Sequence, residues 1–153
     1  MHSRIKSRPD VRPSGALSHA SFALEWPARR LYAGAYFGGT ASEETRQEVA
    51  NALGRGARAL ERLSRFDAFA CGRAFTYADC AALVHLPLVS GTTKLIYGTD
   101  LLAVVPGLNN YLRRLSERTH VAAVNRERRA DMEAFLAYRA ARAAAAATSS
   151  GTG

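Results

Sequence analysis

The sequence predicts an all-α fold, and three observations carry that expectation. Apolar residues recur at helical spacing along most of the chain, and no segment offers the four to eight alternating β-branched or aromatic residues that would read as a strand. Capping signals and glycine or proline stops divide the periodic stretches into helix-sized pieces. The 153 residues suit one domain, and 48% hydrophobic with 22% charged residues is a globular composition, which excludes disorder over the whole length.

Taken in order, residues 1–20 are basic and punctuated by Pro9, Pro13 and Gly15, so they read as a disordered leader. Asp10 and the two prolines argue against the amphipathic helix of a transit peptide. The folded part is expected over residues 21–145, with a disordered Ser/Thr/Gly tail at 146–153. Pro27 fits the first turn of a helix carrying Leu31, Tyr32, Ala35 and Tyr36, which Gly38-Gly39 stops. Thr40-Ala41-Ser42-Glu43 reads as a capping box opening the next helix, which should run to about Phe66. Val49, Ala52, Leu53, Leu60, Leu63 and Phe66 form its apolar side, against Arg46, Arg55, Arg58, Glu61 and Arg62. Gly54 and Gly56 would each weaken that helix and so suggest close contact with another. Pro106 opens a later helix with Leu108, Tyr111, Leu112 and Leu115. Thr119 caps a short one with Val121 and Val124, and a last helix spans about 127–145.

The stretch with a mechanism is Phe75-Thr76-Tyr77-Ala78-Asp79-Cys80, followed by almost nothing polar through Val89. Thr76 as N-cap puts Asp79 at N3, where carboxylate and hydroxyl can each satisfy the other's backbone amide. Phe75 and Cys80 are placed for a hydrophobic staple. A helix apolar all round is expected to be a buried central one, and Pro87 to kink it or end it near Leu86.

The formal charge of +8 invites a nucleic-acid reading. All the basic residues except Lys6 and Lys94 are arginines, yet their clusters are not interleaved with aromatics and no recognition motif accompanies them, which argues against that role. Cys71 and Cys80 are too few for a disulfide scaffold and read as reduced, cytosolic thiols. Their spacing, and four scattered histidines, give no metal site. Charges, His, Pro and Gly interrupt every apolar stretch, so no membrane span is expected.

The box and staple opening an apolar helix resemble the C-terminal domain of the cytosolic glutathione S-transferases. Trp26-Pro27-Ala28-Arg29-Arg30-Leu31-Tyr32 and Ala35-Tyr36-Phe37-Gly38-Gly39 are similar to that domain's first helix and turn, and Leu60-Glu61-Arg62-Leu63 to the end of its second. Val105-Pro106-Gly107-Leu108 with Leu115-Ser116-Glu117-Arg118 resembles the helix before a common Arg-Pro, whose proline is Thr119 here. The likeness covers residues 22–138. It implies a bundle of five to seven helices around a buried central helix, acting in the cytoplasm.

The resemblance also implies a division of labour. In the family a thioredoxin-like N-terminal domain supplies the catalytic residue and holds glutathione, whereas the helical domain walls the pocket for the hydrophobic co-substrate. A leader of twenty residues cannot form a βαβ unit, so this chain is expected to hold no catalytic residue and no cofactor, and to meet glutathione only with such a domain supplied. Tyr32, Tyr36 and His85 are the candidate pocket residues by this analogy. The implied partners are the thioredoxin-like domain or a second copy in a homodimer. Two other classes stay open: a non-catalytic helical interaction module, whose uncovered apolar surface would seek a partner, and a basic nucleic-acid binder, whose affinity would fall steeply with salt.

Overall fold

The structure, a computed structural model, describes residues 14–149. The described residues hold six α-helices and one 3-10 turn: α1 (Ser14–Ala28), the turn (Arg29–Leu31), α2 (Tyr32–Tyr36), α3 (Glu43–Leu63), α4 (Tyr77–Tyr97), α5 (Leu108–Ser116) and α6 (Thr119–Ser149). The fold is all-α. Its nearest approach to a sheet is an isolated antiparallel bridge between Phe69 and Gly72. The chain divides into two compact units between Leu112 and Arg113.

In the first unit α1 packs on α4 and on α3, and α2 packs on α4. Leu24, Ala28 and Leu31 from the α1 side meet Val49, Leu53, Ala57 and Leu60 of α3 and Ala82, Leu86 and Val89 of α4 in the core. The contact between α1 and α3 is close. A Cβ on Gly56 would lie 2.4 Å from a Leu24 methyl, which explains the glycine. Gly54 has nothing nearer than the Arg58 side chain at 3.7 Å, so the same expectation fails there.

Several boundaries differ from the expected ones, each for a local reason. Helix α1 opens at Ser14, inside the stretch expected to be a disordered leader, because a buried stripe at Ser21, Leu24, Glu25 and Ala28 gives it a packed face. Residues 1–13 and 150–153 of the expected leader and tail lie outside the described residues. Pro27 sits in the last turn of α1 instead of opening a helix, and the backbone tightens to 3-10 geometry directly after it, where proline's missing N–H interrupts the ladder. Helix α3 is capped two residues later than expected. Ser42, extended at φ −62° and ψ 157°, accepts the Thr45 amide at 3.1 Å, and Glu43 and Glu44 fall in the first turn, where the helix dipole favours them. The helix stops at Leu63 instead of Phe66, because Ser64 leaves the helical region at φ −107° and ψ 151°.

Helix α4 runs straight past the position where Pro87 was expected to end it. Pro87 is exposed, and burial of Val89, Thr92 and Thr93 beyond it carries the helix to a left-handed Gly98 cap. By length and composition α4 is apolar enough to cross a membrane, contrary to the expectation from its interrupting residues. Eight of its residues are buried, along one face, so it is a core helix of this unit. Burial on every side was expected; instead Tyr77, Cys80, Val84, Pro87 and Leu95 form an exposed stripe.

In the second unit α6 is one helix where two were expected. No glycine or proline stands between Thr119 and Ser149, and Asn125-Arg126 is too weak a break to stop it. Its first turn closes with the Ala122 amide on the Arg118 carbonyl at 2.8 Å, and Asn125 reaches back to Ser116, the last residue of α5, at 3.3 Å.

Candidate functional site

Two polar clusters are built into the first unit. One centres on Asp79, which is fully buried. Its Oδ2 accepts the Thr76 amide at 2.8 Å and the Thr76 hydroxyl at 3.1 Å, so the capping box forms. Its Oδ1 accepts the Ala70 amide at 2.9 Å and the Tyr111 hydroxyl at 2.7 Å. Four donors on one carboxylate satisfy a buried charge that would otherwise be strongly unfavourable. Tyr111 is held far above the ordinary tyrosine range, first by burial and then by its hydrogen bond to Asp79. With its acceptor sites filled from within the domain, Asp79 is a structural anchor for the 64–76 loop, α4 and α5.

The expected staple is built differently. Cys80 is exposed, and Phe75 turns instead onto Phe69, edge to face at 5.8 Å, because the loop folded back by the Phe69–Gly72 bridge brings that ring within reach. Cys71 is a free, half-buried thiol whose pKa is pushed up by burial and then by the Asp79 charge, which lowers its reactivity.

The second cluster gathers the three residues expected to line a pocket. His85 on α4 pairs through Nδ1 with the Glu25 carboxylate of α1, and Glu25 also faces Arg29 at 3.7 Å. Glu25 is 8% exposed, so an acid stands in the seam between α1 and α4. Tyr32 is raised above its ordinary range, by burial first and by the Glu25 charge second, so its phenol stays protonated near neutrality. The Tyr32 and Tyr36 rings meet edge to face at 5.6 Å. The Tyr36 hydroxyl hydrogen-bonds the Thr92 hydroxyl at 3.0 Å. Glu25 is thus the hub that brings Tyr32 and His85 into one environment, and Tyr36 extends it along α4.

Beside this cluster lies an apolar crest. Phe22 packs on Trp26 at 6.0 Å and edge-on against the His85 ring at 5.7 Å. Trp26 is 64% exposed and, with His19, Phe22, Ala23 and Pro27, lines an open hollow; Arg29 and Arg30 flank it on the other side. The arrangement can hold an apolar molecule against aromatic rings, with the His85 ring reaching the crest through Phe22. Glu25 and Phe22 were missed because the helix was taken to begin at Pro27. The available signal was the i, i+3, i+4 stripe Ser21, Leu24, Glu25, Ala28, which places an acid among buried positions. No group of three or more His, Cys, Asp or Glu side chains suited to a metal occurs among the described residues.

A helical unit with this capping box on α4, its neighbouring helices and this crest can be set beside known proteins. Residues 43–114 match the model of the glutathione S-transferase C-terminal domain. That segment is thus similar to the C-terminal domain of the glutathione S-transferases. It takes in α3, α4 and most of α5, together with the Asp79 anchor. A curated relative, a glutathione S-transferase from Pseudomonas putida, is 28% identical over 113 residues, which is 74% of this chain and 51% of the relative. The chain therefore spans about half the length of the curated relative it matches. Glu25, Tyr32 and Tyr36 lie before the matched segment, and His85 lies within it.

Proposed function

We propose that this chain forms the co-substrate side of a glutathione S-transferase, a protein that conjugates glutathione to an apolar electrophile. The Phe22–Trp26 crest beside the Glu25–His85 pair carries this reading, because an aromatic shelf ending in polar groups suits an apolar molecule with one reactive polar centre. Glutathione itself would be held by a thioredoxin-like domain, and the chain alone would be inactive. Tyr32, Tyr36 and His85 would line the wall, with Glu25 fixing the His85 ring. The two cysteines are free thiols, as in the reducing cytoplasm where the reading places the protein.

The test is calorimetric titration with glutathione, with and without a supplied thioredoxin-like domain, beside a conjugation assay using a chlorinated nitroaromatic. Binding and turnover that require the added domain support the proposal. Turnover by neither preparation removes it. Glutathione binding by the chain alone contradicts the assignment of that site to another domain.

A further inference from the structure

Helices α3 and α4 border a second hollow, which shares no residue with the Phe22–Trp26 crest. Glu43, Arg46, Gln47 and Ala50 stand at i, i+3, i+4 and i+7 on one face of the start of α3, and Ile96 and Tyr97 come from the end of α4. The space measures about 320 Å³, the size of a small-molecule site. Its walls are held in place. The Tyr97 hydroxyl donates to the Arg46 carbonyl at 2.7 Å, and the Ile96 Cδ1 lies only 3.4 Å from where a Cβ on Gly34 of α2 would stand.

Arg46 is the unusual member. Periodicity puts it on the wet side of α3, yet it is only partly exposed, and its Nε–H is buried without an acceptor among the described residues. The other polar groups of the hollow are committed elsewhere. Tyr97 directs its hydroxyl to the backbone, Gln47 turns its amide onto Asn51 at 3.3 Å, and among the described residues no carboxylate pairs with the guanidinium. A buried charged donor without an acceptor is unfavourable, so an oxyanion delivered to this point supplies what the chain does not. Glu43 decides what else that ligand carries. Burial pushes the Tyr97 phenol above its ordinary range, with Arg46 opposing the shift and Glu43 adding to it, so both charges act on the same hydroxyl. A carboxylate three residues from Arg46 repels a dianionic phosphate and attracts an ammonium. Ala50 and Ile96 add an apolar wall. We propose that this hollow binds an α-amino acid with an apolar side chain, its carboxylate on Arg46, its ammonium on Glu43 and its side chain against Ala50 and Ile96.

The test is titration of the full chain with L-leucine, followed by the arginine Nε–H resonances in nitrogen-15 NMR spectra. A saturable shift of the Arg46 Nε–H signal is expected. Leucinamide, which lacks the carboxylate, and N-acetyl-leucine, which lacks the ammonium, should each bind about tenfold or more weakly, as should leucine to Arg46→Met and to Glu43→Gln. Arg46→Met keeps the apolar stem and removes the orphaned donor, so the ligand-free variant should melt at the wild-type temperature or above. Absence of saturable binding at millimolar leucine overturns the proposal. So does N-acetyl-leucine binding as tightly as leucine, because Glu43 then holds no ammonium. A marked fall in the melting temperature of Arg46→Met also overturns it, since Arg46 would then serve the fold and not a ligand.

Discussion

The Tyr111 hydroxyl donates a 2.7 Å hydrogen bond to Asp79, and both residues are fully buried. One contact thereby ties the start of α5 to the cap of α4. Tyr111→Phe leaves Asp79 three donors and should destabilise the chain by about 1 to 3 kcal/mol. Asp79→Ala orphans the Ala70 amide, the Thr76 amide and the Tyr111 hydroxyl together and should destabilise it by more. The two losses should not add, because they share the interaction. Urea unfolding of both single variants and the double variant checks this; additive losses would show that the two residues act separately.

The same burial gives the chain an alkaline limit. Tyr111 and Tyr32 both have folded-state pKa values above the unfolded tyrosine value of about 10. Their contribution is fully present below that pH. Above it the unfolded chain releases protons that the folded chain keeps, so stability falls by up to about 1.4 kcal/mol per pH unit for each tyrosine. Phenolate absorbance should therefore show that Tyr111 and Tyr32 ionise only as the chain unfolds. Full ionisation of every tyrosine while the helix signal is intact would exclude this.

How much of this was legible in the sequence follows the range of the interactions. The Thr76–Asp79 box could be read because both of its halves lie within four residues. The Ala70 and Tyr111 donors on the same carboxylate could not, since they come from 9 and 32 residues away. Local signals also misled where they were degenerate. Thr40 and Ser42 are both hydroxyl caps, and only the extended backbone at Ser42 decides between them. Pro27 and Pro87 were taken as a start and a stop, yet Pro27 lies in the last turn of α1 and buried residues beyond Pro87 carry α4 to Tyr97. Tyr32, Tyr36 and His85 were placed by analogy, whereas the Glu25 that relates Tyr32 to His85 sits on a helix whose true start was hidden by the reading of Pro27.

Two nearby glycines should respond in opposite directions to the same change. Gly56→Ala pushes a methyl group into Leu24, itself 1% exposed, so overpacking of about 1 to 3 kcal/mol should outweigh the gain in helix propensity. Gly54→Ala meets nothing closer than 3.7 Å and should gain up to about 1 kcal/mol. Thermal melts of the two variants would show a lower and a higher midpoint; equal shifts would mean that α1 and α3 are not in close contact.

The caps of α3 offer a similar contrast. Ser42→Ala removes the acceptor of the Thr45 amide and should cost about 0.5 to 2 kcal/mol, while Thr40→Ala should cost little. The reverse order in denaturant midpoints would place the helix start two residues earlier.

The Glu25–His85 pair gives the last expectation, and it separates packing from chemistry. His85→Leu strips the buried Glu25 carboxylate of its imidazole partner and leaves the partly exposed Arg29 as its cation, and losing one member of a buried pair typically destabilises by about 3 to 5 kcal/mol. Replacing both members, as Glu25→Leu with His85→Leu, removes the stranded charge and should recover most of that loss, because two leucines can fill the seam between α1 and α4. If the pair serves only packing, conjugation measured with a supplied thioredoxin-like domain should recover together with stability. If His85 meets the co-substrate, the double variant should fold well and still lose turnover. A stable double variant with full turnover would remove His85 from the pocket wall.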